Sequence, residues 1–131
     1  MKLTCRLILF SIICFVSLSL TNAKNFAQPI VTVSGVYENF TVGKGSGDLE
    51  GMRVVMVPAG DSYYAIVQIA QGGAEDPKPE FVQAEVKGKS VSFTVGEVKY
   101  TGSASAAGLT LKDSSGQTQV LKRKACTAYF K

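Results

Sequence analysis

From residue 30 onward, apolar and polar residues alternate in short runs that are separated by clusters of turn-forming residues. Alternation with a period of two is typical of a strand with one buried face, whereas an amphipathic helix repeats every 3.6 residues. No long segment sustains the helical period, so the pattern predicts an all-β chain with little helix. Eight runs predict eight strands, at Ile30–Tyr37, Met52–Val57, Tyr63–Ala70, Phe81–Val86, Ser90–Val95, Val98–Ala104, Leu109–Lys112 and Gln119–Lys124.

The links between these runs are mostly short, and several carry a glycine suited to a tight hairpin, as in Lys87-Gly88-Lys89. Pro58 ends the second run in this interpretation. Successive hairpins predict an up-and-down meander, which exposes two strand edges unless it closes on itself. We therefore predict a small eight-stranded antiparallel barrel rather than a sandwich. Such a barrel is just wide enough to be filled by its own side chains or to hold one small ligand.

The N-terminus has the order of a secretory signal peptide. Lys2 and Arg6 precede an uncharged apolar run, Leu7–Leu20, and Thr21–Ala23 are small or polar. A membrane anchor is the alternative, but the run of 14 residues is short against the roughly 20 that a spanning helix needs. The prediction is a signal peptide over residues 1–23, one domain over residues 24–131, and a periplasmic or secreted protein.

Charge and composition narrow the choice of partners. The net charge of +4 would fall to +2 on cleavage, because Lys2 and Arg6 leave with the signal peptide. That small charge gives little reason to expect nucleic acid or an anionic membrane as a partner. The basic cluster Lys122-Arg123-Lys124 would place its two lysines on one face of a strand and Arg123 on the other, which favours a solubilising strand over a nucleic-acid groove.

Candidate catalytic and metal-binding residues are few. The chain contains no histidine, which excludes a Ser-His-Asp triad and, with Cys126 as the one cysteine beyond the signal peptide, a zinc site with four nitrogen or sulfur ligands from one chain. Cys126 could be buried, reactive or paired with another chain. Glu75-Asp76 is more typical of a solvated turn than of a calcium site, and Gly43–Gly47 lacks the spacing of a phosphate-binding loop. We predict no enzyme activity, no metal and no cofactor.

Three aromatic residues, Tyr37, Phe93 and Tyr100, fall on the inward phase of their strands. They would either line a site for a small apolar ligand or fill the core. The segment Gly35-Val36-Tyr37-Glu38-Asn39 resembles the Gly-x-Trp opening of lipocalin- and avidin-like barrels, with tyrosine in place of tryptophan, and Tyr100-Thr101-Gly102 also looks like the small bacterial barrels of this calycin-type group. The resemblance implies a ligand site inside the barrel.

Two classes of function remain open, and both are binding rather than catalysis. The first is a carrier of a small apolar ligand, lined by Tyr37, Phe93 and Tyr100. The second is an inhibitor or immunity factor of the cell envelope that binds a protein through loops 43–48, 71–80 and 103–108. A structural protein of the envelope is a third, weaker interpretation.

Overall fold

The computed structural model describes residues 32–73 and 77–125, which form nine β-strands and no helix. The predicted signal peptide, Glu75-Asp76 and Cys126 lie outside these residues. No helix within the described part of the chain is long and apolar enough to cross a membrane. The strands are β1 (Gly35–Glu38), β2 (Thr41–Val42), β3 (Leu49–Ala59), β4 (Ser62–Gln71), β5 (Glu80–Lys87), β6 (Ser90–Val95), β7 (Val98–Ala104), β8 (Gly108–Asp113) and β9 (Thr118–Lys124).

The sheet closes into an eight-stranded antiparallel barrel, as the alternation predicts. From β3 to β9 each strand pairs with the next along the chain, and β1 closes the ring by pairing with β3 on one side and β9 on the other. The short strand β2 is an addition to the eight predicted runs. It continues along β3 beyond the end of β1, where Thr41 lies opposite Glu50.

Three hairpins turn through two residues each, with glycine first: Gly60-Asp61, Gly88-Lys89 and Gly96-Glu97. Their glycines have φ of +61°, +61° and +57°, while no residue other than glycine has a positive φ in the described chain. A positive φ at the first turn position alone is the type II′ turn, whose twist matches that of the paired strands. These turns set the register of the β3–β4, β5–β6 and β6–β7 pairs.

The second predicted run has the wrong boundaries. Strand β3 starts at Leu49 and continues through Pro58 to Ala59, so Pro58 does not end it. Pairing with β1 stops at Met56, and beyond that point β3 has β4 as its one strand neighbour. A strand with a single neighbour tolerates proline, because one side of the backbone needs no ladder hydrogen bond.

The interior of the barrel is packed with apolar side chains from all eight strands of the ring. The most deeply buried large residues are at most 2% exposed: Tyr37, Val54, Met56, Val67, Leu109, Leu111 and Leu121. These side chains fill the middle of the barrel.

Because neighbouring strands are antiparallel, the loops fall into two sets. The open end is defined here as the end that carries loop 43–48, residues 72–73 and 77–79 between β4 and β5, and the turns at 96–97 and 114–117. The closed end carries residues 32–34, the turns at 60–61, 88–89 and 105–107, and Ala125.

Candidate functional site

A cavity of about 530 Å³ lies at the open end and is called the mouth. Its volume is within the range of about 300–1,000 Å³ that is usual for small-molecule sites. The walls come from β3, β4, β7, β8 and β9 together with the turn that precedes β9. Its lining residues are Glu50, Gly51, Met52, Ile69, Ala70, Gln71, Val98, Tyr100, Asp113, Gln117 and Gln119.

Tyr100 is a buried residue of the mouth whose hydroxyl lacks a protein partner. Its side chain is 8% exposed and stacks on Phe93, with ring centroids 5.5 Å apart. No described residue forms a hydrogen bond with its hydroxyl, and the hydroxyl oxygen itself is accessible to solvent from the cavity. Burial raises the pKa of the Tyr100 phenol, as do the carboxylates of Asp113 and Glu80, so the hydroxyl is protonated at neutral pH.

Asp113 stands beside Tyr100 on the neighbouring strand, directly opposite it in the β7–β8 register. Its Oδ1 accepts hydrogen bonds from the Ser115 backbone N–H at 2.9 Å, the Ser115 hydroxyl at 2.6 Å and the Gln117 N–H at 2.9 Å. These donors, the Ser115 hydroxyl above all, hold the pKa of the Asp113 carboxyl below its usual value. The turn therefore keeps an ionised carboxylate at the rim of the mouth.

Asn39 connects three strands at the mouth. Its backbone N–H donates to the Met52 carbonyl at 3.0 Å, and its Oδ1 accepts from the Met52 N–H at 2.7 Å. The side-chain Nδ2 donates to Oε1 of Gln119 at 2.9 Å. Because Met52 and Gln119 both line the mouth, this one side chain holds its β3 and β9 walls together.

At the closed end, Tyr37 is fully buried and its hydroxyl has two partners. It donates to the Val33 carbonyl at 2.8 Å and accepts from Nη2 of Arg123 at 2.6 Å. The Arg123 guanidinium also stacks over the Tyr37 ring at 4.9 Å and donates to the carbonyls of Ser34 and Thr32 at 3.0 and 2.5 Å. This arrangement fills the closed end. Because the Tyr37 hydroxyl already has an acceptor and a donor within the protein, it does not need a ligand as a hydrogen-bond partner.

The three predicted lining residues all point inward, but the structure does not bring them to one place. Phe93 and Tyr100 are stacked neighbours in the β6–β7 pair, and of these two Tyr100 lines the mouth. Tyr37 lies with Arg123 at the opposite end. The sequence interpretation missed Glu50 and Asp113, which share the inward phase of their strands with Met52 and Leu111.

A second cavity of about 540 Å³ is a notch in the barrel wall next to the closed end. It forms before the start of β4, where β5 beyond Ala84 pairs with β6 alone. Phe93 and Tyr63 lie at its base, and outward-facing Glu85 and Lys99 lie at its edges. Half of the notch is therefore outer surface, whereas the mouth is lined mainly by inward-facing positions.

The three predicted binding loops also separate. Loop 43–48 and the loop after Gln71 both border the mouth, since Gly72 N–H donates to the Leu49 carbonyl at 3.1 Å. Segment 103–108 lies at the closed end, where Ser103 and Ala104 end β7, Gly108 begins β8, and residues 105–107 form the turn.

The basic cluster splits across the two faces of β9, as the alternation predicts. Arg123 points inward to Tyr37, while Lys124 lies on the outer face, with its Nζ 3.3 Å from Oε1 of Glu38. No group of three or more histidine, cysteine, aspartate or glutamate residues within the described ranges is arranged to hold a metal ion.

Comparison with models of protein families, with curated proteins and with solved structures finds no match to this chain.

Proposed function

We propose that this protein is a non-catalytic binding protein that holds a small molecule in the mouth of its barrel. The observation that carries the proposal is the cavity of about 530 Å³ at the open end, into which the Tyr100 hydroxyl opens without a hydrogen-bond partner among the described residues. A ligand group that hydrogen-bonds to this hydroxyl would take the place of the water that can reach it in the open cavity.

The packing of the core supports the mouth as the place of binding. The core residues Val54, Val67 and Leu121 below the mouth are at most 1% exposed, and their side chains fill the centre of the barrel. The apolar floor of the mouth contains Met52 and Ile69, which face each other across β3 and β4. A ligand in this position would rest its apolar part on the floor and its polar part on the rim.

We also propose that the protein works in the periplasm or outside the cell, on the basis of the signal-like order of residues 1–23. The resemblance of Gly35-Val36-Tyr37 to the opening of lipocalin- and avidin-like barrels also supports the proposal of a carrier.

Native mass spectrometry of the gently purified protein tests the proposal. We expect a bound adduct of a few hundred daltons. Gln71→Trp places a large ring at the rim of the mouth and should eliminate the adduct, whereas Gln83→Trp makes the same change at the wall notch and should retain it. An adduct lost from Gln83→Trp alone would move the site to the notch, and the absence of any adduct in the wild-type protein would count against a tight carrier.

A protein-binding inhibitor or immunity factor is the second candidate, and the loop at residues 43–48 favours it. This loop is held by its own hydrogen bonds, from Gly43 N–H to the Asp48 carbonyl at 2.8 Å and from Gly47 N–H to the Gly43 carbonyl at 3.1 Å. An ordered loop that borders the mouth is suited to enter a cleft of a partner. If this function is correct, shortening 44–47 to Asn-Gly should eliminate a co-purifying protein without changing the circular dichroism of the barrel.

A further inference from the structure

We propose that the ligand of the mouth is an organic cation, with a protonated nitrogen attached to an aromatic or short aliphatic group. This inference rests on the function proposed above and specifies the chemistry of the same site. It is drawn from the charges that line the cavity, the unpartnered hydroxyl of Tyr100 and the apolar floor.

The ionisable groups of the mouth make it negative. Glu50 and Asp113 line the cavity, and none of the described lining residues is a lysine or arginine. The nearest basic side chains along the lining strands point away, because Lys99 lines the wall notch and Lys112 alternates with inward-facing Leu111. A cavity whose charges have one sign favours ligands of the opposite sign and disfavours those of the same sign.

The hydrogen-bonding groups agree with this sign. A carboxylate accepts hydrogen bonds and cannot donate them, and a neutral phenol can accept as well as donate. Asp113 and Tyr100 stand opposite each other in the β7–β8 register and both line the mouth, so a bound cation would face acceptors from both residues. A ligand carboxylate would instead have to lie beside the Asp113 carboxylate, which its turn keeps ionised.

The apolar part of the ligand follows from the floor. Met52 and Ile69 lie opposite each other at the base of the mouth, and the Tyr100 ring continues this surface. Methionine adapts its shape to flat aromatic groups and contacts them favourably. The mouth thus requires a positive charge with N–H donors and also an apolar group. An aromatic or alkyl amine has both, whereas a simple metal cation has only the charge.

Three indole probes of similar size test the sign of the charge: tryptamine as the cation, 3-methylindole as the neutral compound and indole-3-propionate as the anion. The chain contains no tryptophan, so the fluorescence of a bound indole can be followed without background from the protein. We expect tryptamine to bind at least tenfold more tightly than 3-methylindole, and indole-3-propionate to bind more weakly than both. The preference for tryptamine should fall as salt is raised.

A matched pair of variants assigns the preference to the mouth. Gln117→Lys adds a positive charge to the lining and should weaken tryptamine at least tenfold while leaving 3-methylindole nearly unchanged. Gln83→Lys makes the same change at the outer notch and should leave both affinities unchanged. Tyr100→Phe keeps the ring but removes the hydroxyl, so it should weaken tryptamine more than 3-methylindole; thermal unfolding of each variant reports that it is folded.

The outcomes separate the two proposals. Equal affinity for the three probes, or tighter binding of the anion, would overturn the inference of a cationic ligand and retain a small-molecule site. A preference for tryptamine that Gln83→Lys removes and Gln117→Lys does not would overturn the assignment to the mouth. Failure of all three probes to bind would count against the mouth as a small-molecule site and therefore against the proposed function itself.

Discussion

At the scale of single residues, two buried tyrosines separate structure from candidate function. The Tyr37 hydroxyl donates to Val33 and accepts from Arg123, whereas the Tyr100 hydroxyl has no partner among the described residues. A hydroxyl with protein partners contributes to stability, whereas one that opens into a cavity is free to bond to water or to a ligand. Tyrosine therefore has two roles in this barrel: Tyr37 helps to fill the closed end, and Tyr100 presents a hydrogen-bonding group in the mouth.

Tyr37→Phe should destabilise the protein by about 1–3 kcal/mol at pH 7, since it removes two hydrogen bonds, one of them to a charged group. The ring that supports the Arg123 guanidinium remains. Urea unfolding measures the change. Tyr64→Phe is the control, because the Tyr64 ring stacks on Phe81 on the outer face and its hydroxyl has no hydrogen bond to the described chain. Equal effects of the two substitutions would contradict a special role for the Tyr37 hydroxyl.

The pH dependence of Tyr37 has a definite sign. Burial raises the pKa of its phenol in the folded protein, an effect that Arg123 partly offsets. The stability this group contributes is therefore fully present below the unfolded pKa of about 10 and is lost as pH rises through the higher folded pKa. The difference in unfolding free energy between wild type and Tyr37→Phe should shrink above about pH 10. A difference that grows over that interval would contradict the assigned direction.

At the scale of elements, closure depends on the seam between β1 and its two neighbours. On the outer face, Glu38 Oε2 accepts from Nε of Arg53 at 2.8 Å, and Nη1 of Arg53 donates to Oε1 of Gln68 at 3.2 Å. Nε2 of Gln68 then donates to the Pro77 carbonyl at 3.0 Å. This row of polar contacts runs across β1, β3 and β4, and it ties the loop after β4 to the seam.

A double-mutant cycle measures what the Glu38–Arg53 pair contributes. The pair is partly protected, with side-chain exposures of 13% and 28%, so Glu38→Gln and Arg53→Met should show a coupling of about 1 kcal/mol in urea unfolding. The Glu85–Lys87 pair is equally short at 2.7 Å but 63% and 81% exposed, and its cycle should give a smaller coupling. Equal coupling energies in the two cycles would show that the position of the Glu38–Arg53 pair in the seam does not strengthen it.

The approach of β7 to β8 leaves no space for a side chain at Gly102. A Cβ there would overlap the backbone carbonyl of Thr110, which cannot move without disturbing the ladder between the two strands. Gly102→Ala should therefore destabilise the barrel by about 1–3 kcal/mol or more. Ser103→Ala changes the exposed neighbour and should be nearly neutral in the same thermal unfolding measurement. A Gly102→Ala protein as stable as wild type would disprove this close contact.

At the scale of the whole molecule, the first and last strands of the ring meet through Arg123. Its guanidinium reaches carbonyls of Thr32 and Ser34 before β1 and covers the ring of Tyr37 within β1. One side chain of β9 thereby fastens the segment that precedes β1 and fills the closed end. At the open end the Asn39 amide links the walls formed by β3 and β9, whereas a charged guanidinium fills the closed end, so the two ends differ in chemistry.

Arg123→Lys should loosen the closure of the ring. Lysine keeps the charge but lacks the planar fork that satisfies two carbonyls and stacks on an aromatic ring. We expect a loss of about 2 kcal/mol in urea unfolding and faster hydrogen exchange in β1 than in β6. Lys122→Arg is the control on the outer face of the same strand and should change neither quantity. Uniformly faster exchange in β1 and β6 would contradict a local role in closure.

Part of the candidate site was predictable from sequence. Alternation places Phe93 and Tyr100 inward, and the two-residue turn at Gly96-Glu97 puts them side by side. It could not show that Tyr37 belongs to the other end with Arg123, since the two are 86 positions apart and meet only through closure. Glu50 and Asp113 were missed because a carboxylate at the end of a strand looks like an ordinary solvated turn residue until the strands are arranged around the mouth.

Local patterning along the chain is sufficient to predict the eight strands of the ring, their tight turns and the inward face of each, because a period of two and a glycine at a tight turn are local properties; it did not predict β2. It did not determine that β3 runs on through Pro58, which depends on where its neighbour β1 stops. The tertiary structure alone decided which end of the barrel is filled, which tyrosine hydroxyl is left without a partner and which charges surround it. These features depend on contacts between distant strands, whose register is set when the ring closes.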